Sequence, residues 1–281
     1  MAKGLSIHIG LNRVDPRHYQ GWEGKLKACE ADANDMEALA KTRGFAPTTL
    51  LTADATSKTV VKAITDAAGK LVKGDTLFLT YSGHGGQVPD LNDDEDDDGK
   101  DETWVLFDRE LVDDELYALW SKFKAGVRII VLSDSCHSGD VTRGELIRNT
   151  MIPAQKAAGM IEAEFSGTRE MPEDEAEKTY RANKDEYDEI QRSNPAGDRA
   201  PVKAAVLLIS GCQSNQLSLD GARNGLFTAK LLATWNKGGF AGSYKLLHRR
   251  INAQMPVTQT PNLFPIGSGA VAFSLSPAFA I

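Results

Sequence analysis

The fold is decided by the stretch VLSDSCHSG, residues 131–139, which closes an apolar run that begins at Val127. Such a run predicts a buried strand whose end opens into a turn. Cys136 then lies just past the end of that strand, two residues after Asp134. A cysteine in this place suits a nucleophile at the edge of a sheet. Free cysteines are usually inert core residues, however, so Cys136 alone leaves both interpretations open.

Similar apolar runs recur along the chain and alternate with helical periodicity. Strands are predicted at residues 5–11, 48–51, 76–81, 127–132 and 204–209, with weaker ones at 104–107 and 270–273. Helices are predicted at residues 25–42, 54–70, 112–124, 224–235 and 243–252. Strands that alternate with helices and have near-continuous apolar cores predict an α/β fold, with a mostly parallel central sheet and helices on both faces.

A length of 281 residues allows one large domain or two small ones, and we predict that the whole chain, residues 1–281, is a single domain. Residues 140–200 break the alternating pattern, because this stretch is polar, is dense in Glu and Lys, and shows no strand signal. We therefore expect a polar, partly helical insertion at about 140–200.

Composition excludes several classes of function and partner. The chain has 39 Asp and Glu against 32 Lys and Arg, a net charge of −7, which argues against nucleic acid or an acidic membrane as a partner. Its three cysteines lie far apart, so they form neither a disulfide framework nor a C-x-x-C metal site. The N-terminus lacks the apolar core of a signal peptide, and no apolar run approaches the ~20 residues that cross a bilayer. These features predict a cytoplasmic protein, and we expect no organic cofactor.

Two strand ends carry the residues that bear chemistry. Ser82 and His84 follow the strand at 76–81, and Asp134 and Cys136 follow the strand at 127–132. In open α/β sheets, sites form at the carboxyl ends of the strands, and side chains two residues apart on a strand point the same way. These four residues are therefore predicted to form one cluster.

Their chemistry suits nucleophilic catalysis. A nearby imidazole can hold a thiolate and later protonate a leaving amine, so His84 is predicted to be the general acid/base and Cys136 the nucleophile. The backbone amides of Gly85 and Cys136 could bind an oxyanion. His137 lies beside the cysteine, but adjacent side chains on an extended chain point apart, so it ranks below His84.

The motifs YSGHG at residues 81–85 and DSCHSG at residues 134–139 place His84 52 residues before Cys136. This arrangement resembles the caspase-like cysteine peptidases of the metacaspase branch, called orthocaspases in prokaryotes. Other stretches are similar to the same family: CEADA at 29–33, LISGC at 208–212, GLFT at 225–228 and QTPN at 259–262. The insertion at 140–200 lies outside the resemblance.

The resemblance implies a caspase-like fold, a monomer, and an endopeptidase with a Cys/His dyad. It also implies an acidic pocket for the substrate residue before the cleaved bond, lined by Cys29, Asp32, Ser82 and Asp134. Carboxylates in a pocket select a cationic side chain, so cleavage is expected after Arg or Lys in a peptide or protein. Self-cleavage in the insertion after a basic residue is a further hypothesis, with five candidates there: Arg143, Arg148, Arg169, Arg181 and Arg192.

The acidic loop at residues 93–102 raises the question of calcium. It does not fit an EF-hand, because the twelfth position would be Val105 instead of Glu. The resemblance implies calcium binding through Asp101, Asp113 and Asp114. The family often has another Asp where this chain has Arg143, which argues against calcium dependence. A solvated acidic run is the competing interpretation.

Two other classes of function compete with a peptidase. One is a non-catalytic calcium-binding or scaffold protein that keeps the fold, and the other is a different cysteine hydrolase or transferase. A scaffold needs neither His84 nor Cys136, so the presence of both favours the enzyme. The acidic pocket favours peptides with basic residues.

Overall fold

The computed structural model describes residues 2–91, 99–136, 151–159, 161–162, 164–165, 167–194, 201–213 and 216–281. Its strands are β1 Gly4–Gly10, β2 Ala46–Leu51, β3 Thr76–Ser82, β4 Gly85–Pro89, β5 Lys100–Val105, β6 Glu110–Val112, β7 Arg128–Asp134, β8 Gly167–Thr168, β9 Ala205–Ser210, β10 Leu219–Asp220 and β11 Asn262–Ile266. Its α-helices are α1 Cys29–Thr42, α2 Ser57–Lys70, α3 Asp113–Ser121, α4 Ile152–Ala157, α5 Glu173–Ala182, α6 Lys184–Ser193, α7 Leu226–Trp235, α8 Tyr244–Asn252 and α9 Ala270–Ser274.

Six of the described strands form the central sheet, in the order β11-β9-β7-β3-β1-β2. Only β11 runs antiparallel to its neighbour among these six. Side chains alternate between two cores along β7: Ile129 and Val131 pack with α2 and α3, whereas Ile130 and Leu132 pack with α1, α7 and α8. The predicted α/β fold, with a mostly parallel sheet covered on both faces, is confirmed.

Two smaller sheets flank the carboxyl ends of these strands. β4, β5 and β6 form an antiparallel sheet that starts at Gly85, directly after the turn that leaves β3. β8 and β10 form a two-residue antiparallel pair. β8 lies inside residues 140–200, where the sequence shows no strand signal, and the helices α4, α5 and α6 agree with a partly helical insertion.

The weak strand predicted at residues 270–273 is also wrong, because this segment forms the helix α9. Gly269 precedes it with φ of 82°, a left-handed conformation that suits glycine, and the backbone of Phe273 bonds back to Gly269. The single-domain organisation of residues 1–281 stays a prediction. None of the helices in the described ranges is both long and apolar enough to span a membrane.

Candidate active site

The register of the central sheet brings the two motifs together. β3 and β7 are parallel neighbours in which Ser82 lies opposite Asp134. His84 and Cys136 each lie two residues beyond these positions, at the same edge of the sheet. The predicted juxtaposition of the four residues therefore has a direct origin in strand pairing.

His84 is held as a neutral base. Its Nε2–H donates to the carbonyl oxygen of Gly24 at 3.1 Å, and its ring lies against Trp22 with centroids 4.9 Å apart. Because a carbonyl only accepts, the proton is on Nε2 and the lone pair is on Nδ1. Nδ1 is buried and has no hydrogen-bond partner among the described residues. Burial lowers the pKa of His84 to about 4, and the hydrogen bond to the Gly24 carbonyl partly opposes that shift.

Cys136 is fully buried and un-ionised. The backbone N–H of Ser218 donates to its Sγ at 2.7 Å, and the thiol donates to the Ser218 carbonyl at 3.4 Å. Burial raises the pKa of the thiol well above its usual value, and the neighbouring Cys212 adds to the effect. Within the described part of the chain, no hydrogen bond joins Cys136 to His84. This state therefore holds a neutral thiol and a neutral imidazole.

One carbonyl oxygen accepts from both amides that were predicted to bind an oxyanion. The N–H of Gly85 and the N–H of Cys136 each donate to the carbonyl oxygen of Arg169 at 3.0 Å. Two converging amides of this kind are the geometry of an oxyanion hole. The peptide bond from Arg169 to Glu170 thus lies against the backbone of Cys136 and of Gly85, the residue that follows His84.

The side chain of the same arginine fills the predicted acidic pocket. Its Nη2 lies 2.7 Å from Asp32 Oδ2, and its Nη1 lies 3.0 Å from Asp134 Oδ2 and 2.8 Å from Ser82 Oγ. Arg169 is fully buried. Burial alone would lower its pKa, but carboxylates led by Asp134 hold it well above the usual range. Three residues predicted for the pocket, Asp32, Ser82 and Asp134, therefore surround one guanidinium.

Cys29, the fourth residue predicted for the pocket, begins α1 and is fully buried. Burial raises the pKa of its thiol well above the usual range, whereas the nearby Arg169 lowers it. Its position one helical turn before Asp32 places it in the wall next to the arginine. Its role in binding stays a prediction.

Asp220 also belongs to this pocket, although no sequence pattern predicts it. Its Oδ1 accepts from Arg169 Nη2 at 2.9 Å and from Nε at 3.3 Å, and its Oδ2 accepts from the backbone N–H of Lys27 at 2.9 Å. Asp220 ends the short strand β10 in a stretch that carries no periodic signal. No motif could have indicated it.

A polar network holds Asp134 and the strand β10 in place. Asp134 accepts from the hydroxyls of Ser218 at 2.6 Å and Thr228 at 2.7 Å. The Nε2 of Gln259 donates to Ser218 Oγ at 2.9 Å, and its Oε1 accepts from the N–H of Leu219 at 3.0 Å. Thr228 and Gln259 lie in the GLFT and QTPN stretches, so their motifs were the available signal.

The insertion crosses the site in an extended conformation. β8 pairs with β10, the N–H of Arg169 donates to the Ser218 carbonyl at 3.0 Å, and the N–H of Met171 donates to the Gly85 carbonyl at 2.8 Å. Residues 167–171 are thus bound on both sides of the Arg169–Glu170 bond by backbone hydrogen bonds, which is how strand addition holds a peptide.

The three aspartates predicted for a metal also lie together. Ligand oxygens of Asp101, Asp113 and Asp114 all lie within 4.8 Å of one another. Asp101 is on β5, and the other two open α3. Asp101 and Asp114 are buried.

Several residues singled out in the sequence lie outside the described ranges: His137, Asp140, Arg143, Arg148 and residues 93–98 of the acidic loop. Arg181 and Arg192 are described and lie on α5 and α6, with side chains 74% and 63% exposed. Of the five arginines considered for self-cleavage, the described positions thus place Arg169 in the site and the other two on the surface.

Comparison with known proteins gives a family. The family model of the peptidase C14 caspase domain matches residues 14–267. Metacaspase-1 of Emericella nidulans is 36% identical over 153 residues, covering 49% of this chain and 36% of that protein. Metacaspase-1 of Kluyveromyces lactis is 30% identical over 255 residues, covering 80% of this chain and 56% of that protein. The chain thus spans about a third to about half of the length of these curated relatives.

Solved structures agree. The crystal structure of protein GSU0716 from Geobacter sulfurreducens superposes with a TM-score of 0.86 at 52% identity, covering 99% of both chains. Caspase-1 from Spodoptera frugiperda superposes with a TM-score of 0.56 at 12% identity, covering 95% of this chain and 88% of that one, a likeness of fold alone. The predicted caspase-like fold is confirmed. The chain belongs to the caspase-domain family of C14 peptidases, and metacaspases are among its relatives.

Proposed function

We propose that this protein is a cysteine endopeptidase that cleaves after Arg or Lys, with Cys136 as nucleophile and His84 as general acid/base. One observation carries the proposal. Arg169 places its guanidinium among the carboxylates of the pocket while its carbonyl oxygen accepts from the amides of Gly85 and Cys136. A substrate arginine needs this combination of charge recognition and carbonyl activation.

The proposed reaction uses the tautomer that Gly24 fixes. The Cys136 thiol leaves its bonds to Ser218, gives its proton to His84 Nδ1, and forms a C–S bond to the carbonyl carbon. The two amides stabilise the oxyanion in the tetrahedral intermediate. The C–N bond then breaks as the imidazolium of His84 protonates the leaving amine, and water hydrolyses the thioester.

Charge explains the selectivity. The pocket gathers the carboxylates of Asp32, Asp134 and Asp220 around one cation, and these groups are nearly inaccessible to water. An acidic substrate residue would add a fourth negative charge in a site of low polarity, which is strongly unfavourable. Peptides with Asp before the cleaved bond are therefore excluded.

The same contacts support self-processing at the Arg169–Glu170 bond. Glu170 forms a parallel bridge with Gly85, the residue that follows His84, which brings the Arg169–Glu170 bond next to the proposed acid. In the uncleaved chain, Arg169 occupies the pocket that a separate substrate would need. Cleavage of this bond is therefore proposed to precede activity on other proteins.

Calcium is a further part of the proposal. Asp101, Asp113 and Asp114 supply clustered carboxylate oxygens, the donors that calcium prefers. The ion would supply positive charge that offsets the repulsion among these carboxylates. Asp101 lies opposite Val88 in the β4–β5 pair, and β4 carries Gly85. Stabilising that pair would steady the Gly85 amide.

Fluorogenic peptides that end in Arg, Lys or Asp test the function, each measured with calcium and with a chelator. We expect turnover of the Arg and Lys peptides, no turnover of the Asp peptide, and loss of all turnover in Cys136→Ala. The absence of Arg and Lys turnover in the wild type would refute the proposal, as would undiminished turnover in Cys136→Ala. The monomeric state and the cytoplasmic location remain predictions.

A further inference from the structure

Met171, the residue that follows the Arg169–Glu170 pair, lies in an apolar pocket that the proposed cleavage chemistry does not use. Met171 is 3% exposed and packs in one cluster with Val14, Tyr19 and Val105, with Trp22 packed against it. It is the second residue after the bond proposed to be cleaved.

Backbone contacts fix which side chain enters this apolar pocket. Gly85 pairs with Glu170 in a parallel bridge, and the Met171 N–H donates to the Gly85 carbonyl at 2.8 Å. The Gly85 N–H meanwhile donates to the Arg169 carbonyl. Any extended peptide that makes these two bonds presents its second residue after the cleaved bond to the same position, whatever its sequence.

Most of this pocket belongs to the body of the protein outside residues 140–200 and is held by hydrogen bonds. Val14 and Tyr19 lie in the segment between β1 and α1, and Val105 ends β5. The Tyr19 hydroxyl donates to the Leu106 carbonyl at 2.6 Å, and the Val14 N–H donates to the Glu23 carbonyl at 3.0 Å. The insertion adds Ala176 from α5 to the same cluster. Four walls, Val14, Tyr19, Trp22 and Val105, therefore stay in place when a different peptide occupies the cleft.

We propose that these four residues form an apolar specificity subsite for the second residue after the cleaved bond. The subsite takes an extended apolar side chain such as Met or Leu and rejects a charged one, because it supplies apolar surface and no counter-charge. This inference rests on the proposed peptidase function and adds to it a requirement on the far side of the bond.

Internally quenched peptides with one common Arg test it, with Met, Leu, Ala or Asp as the second residue after the bond. We expect kcat/KM for the Met and Leu peptides to be about tenfold higher than for the Ala peptide. It should be about a hundredfold higher than for the Asp peptide. Val14→Phe, which fills the pocket, is expected to bring the ratio of kcat/KM for the Met peptide to that for the Ala peptide close to one. Val72→Phe is the matched control, since Val72 is exposed, and it leaves the ratio unchanged.

Self-cleavage of the chain gives a second test of the same subsite. Met171→Leu is expected to cleave at the wild-type rate, and Met171→Asp at least tenfold more slowly. Equal kcat/KM for all four peptides with intact cleavage after Arg would overturn the subsite and leave the peptidase function standing. No cleavage after Arg in any peptide would instead overturn the peptidase function, and the subsite with it.

Discussion

Replacing Asp220 by Asn tests how the pocket recognises arginine. Asp220 gives one carboxylate oxygen to both Nη2 and Nε of Arg169, and the other to the Lys27 amide. Asn has a single acceptor oxygen. If that oxygen keeps the Lys27 amide, the NH₂ group faces the guanidinium, where it cannot accept a hydrogen bond.

The magnitude follows from these contacts. A hydrogen bond to a charged group contributes about 1.5–3 kcal/mol, and the two bonds to Nε and Nη2 share one oxygen. Asp32 and Asp134 remain to bind the cation, and their repulsion with Asp220 disappears, which offsets part of the loss. We therefore expect a net loss of about 2–3 kcal/mol, a fall in kcat/KM for an Arg peptide of about 30- to 150-fold. Lysine has no Nε–H donor at this position, so a Lys peptide should lose less.

The assay compares kcat/KM for matched Arg and Lys peptides in the wild type, Asp220→Asn and the control Asp66→Asn. Asp66 pairs with Lys62 on the surface of α2, so its variant should change neither value beyond about twofold. Thermal unfolding of the three proteins separates loss of binding from loss of the fold. An Asp220→Asn enzyme that keeps its Arg kcat/KM within about threefold, or that loses Lys turnover more than Arg turnover, would refute this role.

Three other predictions concern stability and processing. Burial lowers the pKa of His8 to about 3 and of His84 to about 4, so below pH 6.5 the unfolded chain binds protons that the folded chain does not. The free energy of unfolding therefore falls as pH falls, by about 2 kcal/mol per histidine at pH 5. Urea unfolding of Cys136→Ala at pH 7.5 and pH 5 should show this loss of stability. The same pH dependence in Cys136→Ala carrying His8→Gln would contradict the role of His8. Calcium should raise the Tm of Cys136→Ala by several degrees, and Asp101→Asn should abolish the rise; an equal rise in that variant would exclude the site. After cleavage, the two fragments should co-elute in gel filtration without denaturant, since β9 pairs with β7 across the cut, and their separation would contradict the fold.

Strand periodicity was enough to predict that His84 and Cys136 lie at the same edge of the sheet, because the geometry of a parallel sheet is local and regular. The ends of β3 and β7 lie side by side, so residues at equal distances past those ends meet. His84 and Cys136 could therefore be paired across 52 residues without any knowledge of the loops.

Long-range pairing escaped the same reasoning. β8 is two residues long, and it exists because Gly167 and Thr168 bond to β10, not because of any periodicity. Nothing in the sequence distinguishes Arg169 from the other arginines of the insertion, and its place follows from three distant carboxylates. β11 was missed because Pro265 interrupts its pattern; it is an edge strand, where proline is tolerated.

The N-terminal sequence of the new fragment formed in the wild-type protein tests the central claim most directly. Our account predicts a new N-terminus that begins Glu170-Met171-Pro172, absent from Cys136→Ala and from Arg169→Gln. A cut at another position, or the same cut in Cys136→Ala, would contradict it.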